Sequence, residues 1–209
     1  NVIMRTMLFN YAAIIALVVC FAVLVLMIAL KLKPPVLFVT VIIMLAPTLL
    51  LEPEGRIPVV GATARDWHPE SFWYEPWGAS IVHRGIDIFA PHGVGVVAAS
   101  DCLVLYSGMI NVGGNVVLCV DLGLRLHYYA HLQLIEARGG AWIPRGEPVG
   151  QVGSTGNAQG KPAHLHYSVM SAIPRPWRAT DDTLGWMRAL YINPVEIWTD
   201  DSIQAGEAI

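Results

Sequence analysis

The sequence is short of charge. Lys and Arg number 13 against 16 Asp and Glu in 209 residues, a formal net charge of −3, and no basic stripe runs through it. The seven tryptophans are not interleaved with Lys or Arg, so the electrostatic and stacking footprint of a nucleic-acid binder is missing and that partner is excluded. Cysteine is scarce as well. There are three, none in a Cys-x-x-Cys, which removes thiolate-rich zinc modules and dithiol redox motifs. No internal repeat and no low-complexity segment occurs, which argues against solenoids and disordered tracts.

From Tyr11 to Leu30 charge is absent altogether. At 55% hydrophobic residues and a mean hydropathy of +0.52 the chain is too apolar for an ordinary soluble domain, and the excess lies at the front. About 20 apolar residues at 1.5 Å each cover the roughly 30 Å hydrocarbon core, so 11–30 predicts a transmembrane helix. A cleaved signal peptide competes, but its apolar part would be about half as long and would end in a small-residue cleavage site, which this sequence lacks. A second apolar run, 36–51, follows Lys31-Leu32-Lys33-Pro34-Pro35. It is short and carries Pro47, which leaves a re-entrant segment as the alternative to a second crossing. The pair predicts a helical hairpin, a membrane anchor over 1–52 whose partner is the lipid bilayer. Lys31 and Lys33 mark the hairpin loop as cytoplasmic, whereas Glu52, Glu54 and Arg56 are mixed in sign, so everything after Leu51 is expected to face outward. The chain begins at Asn1 and not at Met, which leaves room for an upstream piece.

Residues 53–80 turn polar and proline-rich and read as a linker and lead-in. Trp67, Trp73, Tyr74 and Trp77 cluster there, as a lid on the domain edge, at a membrane interface, or as a grip on substrate. A folded domain over 81–199 reads as mainly β: short β-branched runs at 94–99, 102–106, 116–120, 125–129, 148–152 and 165–170 are separated by glycines, the pattern of a small antiparallel sandwich or barrel. A helical turn or two is expected within 181–190, and 200–209 is a tail. Cys102 and Cys119 fall on successive strands and would bridge if their register allows it.

Four stretches carry chemistry. In His164-Leu165-His166, strand geometry sends both imidazoles to one face about 6.6 Å apart, which suits two ligands of one metal, or one ligand beside a proton-transfer group. In His83-Arg84-Gly85-Ile86-Asp87, alternation places His83 and Asp87 on one face. Fully extended they would be about 13 Å apart, and Gly85 is the residue that lets the chain bend and join them. Leu126-His127-Tyr128-Tyr129-Ala130-His131-Leu132 ends a strand pattern; His127 reads as a surface residue and Tyr129 as a core one. Gly150-Gln151-Val152-Gly153-Ser154-Thr155-Gly156-Asn157 has no following helix to supply an anion site, so it reads as a tight turn shaping a cleft wall.

Taken together and in this order, the four stretches resemble the lysostaphin-like zinc endopeptidases of the M23 family over about 81–198. The resemblance implies a small antiparallel β domain of the duplicated hybrid motif type, preceded here by the transmembrane hairpin. It implies one zinc ion held by His83, Asp87 and His166, with His131 and His164 as the catalytic pair beside it. The implied partner is peptidoglycan, cut in its peptide bridges or stems, at the outer face of a bacterial cytoplasmic membrane and under a regulatory protein that the sequence does not identify. Cys102 departs from the glycine of many relatives. A catalytically silent relative that binds cell wall or regulates an amidase is the competing reading; it would typically have lost one of the five residues, and all five are here.

Overall fold

The computed structural model describes residues 55–198 and scattered positions before them, at 25, 26, 29, 31, 33–36, 39 and 40. The chain divides into two compact units, Asn1–Glu52 and Pro53–Ile209. In the first, positions 25, 26, 29, 34–36, 39 and 40 are helical and Lys31 lies in a turn. Among the described residues no helix is long and apolar enough to cross a membrane. The spans expected over 11–30 and 36–51 lie almost wholly outside the described residues, as does the tail 200–209.

The second unit is mainly antiparallel β. Its strands are β1 Ile86–Phe89, β2 Gly95–Val97, β3 Cys102–Ile110, β4 Gly114–Asp121, β5 Arg125–Leu132, β6 Leu134–Ile135, β7 Trp142–Ile143, β8 Pro148–Gln151, β9 His164–Ser171 and β10 Tyr191–Ile192. The larger sheet runs β1-β9-β5-β4-β3-β7, with β10 also on β9, and a smaller one runs β2-β8-β6. The expected turns within 181–190 are a short 3-10 helix, Gly185–Ala189.

Alternation decides which residues meet. On β9, Leu165, Tyr167 and Val169 are fully buried in the core, each large apolar side chain stabilising the fold by about 1.5–3 kcal/mol, and this turns His164, His166 and Ser168 to the opposite face. On β1, Ile86 and Ile88 are likewise fully buried, so Asp87 shares that opposite face. Cys102 and Cys119 are joined in a disulfide between β3 and β4, their Cα atoms 5.7 Å apart. Residues 55–80, expected as linker and lead-in, contribute to the core through Ile57, Val59 and Trp67. Trp67 meets Trp198 edge to face at 4.8 Å, and Gly55 pairs with Trp198, which ties the two ends of the described segment together.

Candidate metal centre

Asp87 and His166 are direct cross-strand partners on β1 and β9, which fixes their side chains against each other. His83 arrives from the lead-in, where its N–H donates to the Tyr74 carbonyl and its own carbonyl accepts from Trp73. Between them Gly85 is obligatory: a Cβ there would stand 2.6 Å from the Tyr167 carbonyl oxygen and 3.0 Å from the His166 ring, so any side chain would push the bend off β9. The result is a triangle of donor atoms. His83 Nε2 is 3.1 Å from Asp87 Oδ1 and 3.0 Å from His166 Nδ1, and His166 Nδ1 is 2.8 Å from the same carboxylate oxygen.

Those separations fit a metal. Tetrahedral zinc with bonds of about 2.0–2.1 Å spaces its ligand atoms about 3.3 Å apart, a few tenths of an ångström beyond the observed triangle. The His83 Nδ1–H donates to the Ser71 carbonyl at 2.8 Å, which leaves Nε2 with its lone pair directed at the other two atoms. Three electron-rich atoms thus converge on one point, and a cation satisfies all of them. Burial alone would raise the Asp87 carboxyl, but the adjoining His166 and His83 rings hold it well below the usual carboxylate range. Burial pushes the His166 imidazolium down against the opposing pull of Asp87.

His131 and His164 flank the triangle, their ring centroids 5.1 Å apart, with His131 6.0 Å from His166. On β5 strict alternation turns His127 and Tyr129 inward and Tyr128 and Ala130 outward, which would send His131 into the core. It does not go there. The β4–β5 register slips by one residue between the pairs Val117–Tyr129 and Asn115–Leu132, a bulge, and within it His131 takes a left-handed φ of 64°. A non-glycine residue in that region is strained, and here the strain re-aims the ring into the groove while returning Leu132 to the core. The His131 N–H is held by the Gly113 carbonyl at 2.8 Å. Both rings are tethered through Nδ1, His131 to the Thr155 carbonyl at 2.9 Å and His164 to that of Pro162 at 2.8 Å, so Nε2 is the lone-pair nitrogen of each neutral ring. Burial, with His166 and His164 adjoining, pushes His131 down to about 4.

The five residues line one groove of about 670 Å³. The turn Gly156–Ala158 forms part of its wall, as expected of that segment. Sequence reasoning left one part of the lining, Trp77, open among several roles and missed others. Trp77 stacks on His83 at 4.0 Å and 25° and so braces the ring, whereas its neighbours in sequence Trp67 and Trp73 are core residues. Arg84, Tyr128 and Lys161 also face the groove; the odd-even count from Ala130 would have found Tyr128, but nothing local marks the two cations. The surface reading of His127 is wrong. His127 is fully buried, with Nδ1 2.7 Å from the Tyr167 hydroxyl and Nε2 3.2 Å from Asp121, which also holds Arg125. A hydrophilic residue at an inward position reads as exposed until its buried partner, forty residues away, is known. Tyr129 is in the core as expected, its hydroxyl accepting from the Ala99 N–H at 2.9 Å.

Residues 81–176 match the family model described as Peptidase family M23. The chain is 34% identical over 93 residues to the peptidoglycan DD-endopeptidase ShyC of Vibrio cholerae, an alignment covering 44% of this chain and 21% of that protein. It is 33% identical over 114 residues to the L-Ala–D-Glu endopeptidase of Bacillus subtilis, covering 50% and 35%. The chain therefore spans well under half the length of these relatives. Among solved structures, the catalytic domain of lysostaphin from Staphylococcus simulans superposes with a TM-score of 0.46 at 25% identity, covering 57% of this chain and 82% of that one.

Proposed function

We propose, from the premise that residues 81–176 are a peptidase family M23 domain, that this chain is a membrane-anchored zinc endopeptidase that hydrolyses peptide bonds in peptidoglycan cross-links or stem peptides. The observation that carries the proposal is the convergence of His83 Nε2, Asp87 Oδ1 and His166 Nδ1 within 4.8 Å of one another, in a groove that also holds the His131 and His164 rings. Zinc held by these three residues would supply a Lewis acid for the scissile carbonyl and would lower the pKa of a bound water from ~15.7 to ~7.

The remaining work falls to the chain. Because His131 and His164 donate through Nδ1 to backbone carbonyls, neither can donate through Nε2 until it has been protonated. The ring that takes the proton of the attacking water is therefore the one that returns it, first as a hydrogen bond to the developing oxyanion and then to the leaving amine. The depressed basicity of His131 keeps it neutral and ready to accept at neutral pH. His164, with Nε2 3.9 Å from Asp87 Oδ2, lies nearer the ligand carboxylate and completes the pair.

The anchor and its orientation belong to the same proposal. Lys31 and Lys33 between the two apolar runs support a cytoplasmic hairpin loop, and the Cys102–Cys119 disulfide supports an oxidising compartment for the β domain, which is where cell wall lies. Incubating the full chain in detergent with purified peptidoglycan and identifying the products by mass spectrometry tests the activity. New paired amino and carboxyl termini within the peptides support it; intact peptides at every enzyme concentration contradict it.

A further inference from the structure

The charge along the groove narrows the substrate. Among the described residues lining it, Asp87 is the only carboxylate, and it belongs to the metal triangle. Two cations line the same groove, Arg84 and Lys161, and neither pairs with a carboxylate among the described residues. Other arginines of the domain do: Arg125 with Asp121, Arg178 with Glu196 and Arg188 with Asp182. The Arg84 guanidinium instead lies over the Tyr191 ring, 5.7 Å from its centroid, with Nη1 4.0 Å from the Met187 sulfur. A half-buried guanidinium among apolar groups retains its donors for an incoming anion.

The two cations stand on opposite sides of the centre. The Arg84 guanidinium lies over Tyr191, which pairs with Met170 on the C-terminal side of His166 along β9, and Lys161 lies three residues before the His164 end of that strand. We infer that the groove selects an acidic peptide, one with a free carboxylate on each side of the scissile bond, Arg84 taking one and Lys161 the other, in preference to a neutral oligoglycine bridge. The inference rests on the peptidase reading and deepens it. Arg84, half-buried and forked, contributes more than Lys161, which is exposed and screened by salt.

The test separates binding from hydrolysis. A peptide containing D-Glu with free α- and C-terminal carboxylates, its doubly amidated counterpart and pentaglycine amide are titrated calorimetrically into the zinc-loaded full chain in detergent, as the His131→Ala variant so that bound peptide is not consumed. The diacid is expected to bind at least about 10-fold more tightly than the other two at low salt, an advantage that shrinks as salt rises. Adding Arg84→Gln should remove about 10-fold of the advantage, Lys161→Gln about 3-fold, and Arg84→Lys less than Arg84→Gln, with affinity for the diamide unchanged in all three. Equal binding of diacid and diamide, or a loss in Arg84→Gln that falls on both alike, overturns the inference. The same peptides are offered to the active chain: hydrolysis without acid preference sinks only this inference, and acid preference in binding without hydrolysis of any peptide or of peptidoglycan sinks only the peptidase reading.

Discussion

The rings of His131 and His164 lie 5.1 Å apart at an interplanar angle of 64°, although they come from strands that share the large sheet and only His164 is placed there by simple alternation. The bulge in β5 and the left-handed φ of His131 create the pair. Each ring is anchored to a backbone carbonyl that does not depend on metal.

If these rings move protons and do not hold the ion, His131→Ala should keep zinc near the wild-type level while hydrolysis falls by roughly 10² to 10⁴, the usual scale for a positioned acid/base group. His164→Ala should behave alike. Turnover on peptidoglycan beside zinc content by elemental analysis decides it; normal turnover in His131→Ala removes that residue from the mechanism.

The low basicity of His131 has a consequence for stability in the metal-free protein. Its folded pKa of about 4 lies below the ordinary 6.5, so between those values the unfolded chain binds a proton that the folded one does not. Stability therefore falls as pH drops from about 6.5 towards 4, and recovers as pH rises. The depressed His166 acts in the same direction. Thermal melts of chelated protein across that range should show the slope, and His131→Ala should flatten it; an unchanged slope in the variant contradicts the assignment.

The Cys102–Cys119 bridge closes a short loop, its ends 17 residues apart, for which chain entropy gives about 3 kcal/mol of stabilisation. The double variant Cys102→Ala/Cys119→Ala should lower the denaturant midpoint by a corresponding amount while zinc content and turnover at low temperature persist, since the bridge lies on β3 and β4 and no metal-centre residue touches it. Loss of zinc in the folded variant would contradict that separation.

Much of this was legible in the sequence. Period-two burial set six strands to within a few residues, and because a strand fixes side-chain direction at every second residue, His164 could be assigned to one face with His166, and Asp87 to the face opposite Ile86 and Ile88, before any pairing was known; that these are the same face follows from the β1–β9 pairing. Gly85 could be read as a bend, but its reason, a carbonyl of β9 too close for a Cβ, is a tertiary contact. Where alternation is broken the sequence misleads. His131 reaches the groove only through a bulge, and His127 is buried only because Asp121 and Tyr167 satisfy both its nitrogens. The lead-in 55–80 lacked a strand pattern, so its part in the core and the stacking of Trp77 on His83 depended on packing that no local period reports.

On the proposed anchor, Lys31 and Lys33 predict a cytoplasmic hairpin loop. Alkaline phosphatase fused after Leu51 should be active and a cytoplasmic reporter at the same junction silent. The reverse pattern places the β domain inside the cell and excludes cell wall as its substrate.

The central claim is that His83, Asp87 and His166 hold one zinc ion on which hydrolysis depends. Zinc per chain, measured at a fixed free-zinc concentration together with turnover on peptidoglycan, should be about one for the wild type and should collapse along with activity in Asp87→Ala and His166→Ala, each of which leaves only two protein ligands. Chelation should abolish wild-type hydrolysis and added zinc restore it. Full activity in verified metal-free protein, or zinc retained by His166→Ala and lost by His164→Ala, would contradict the account.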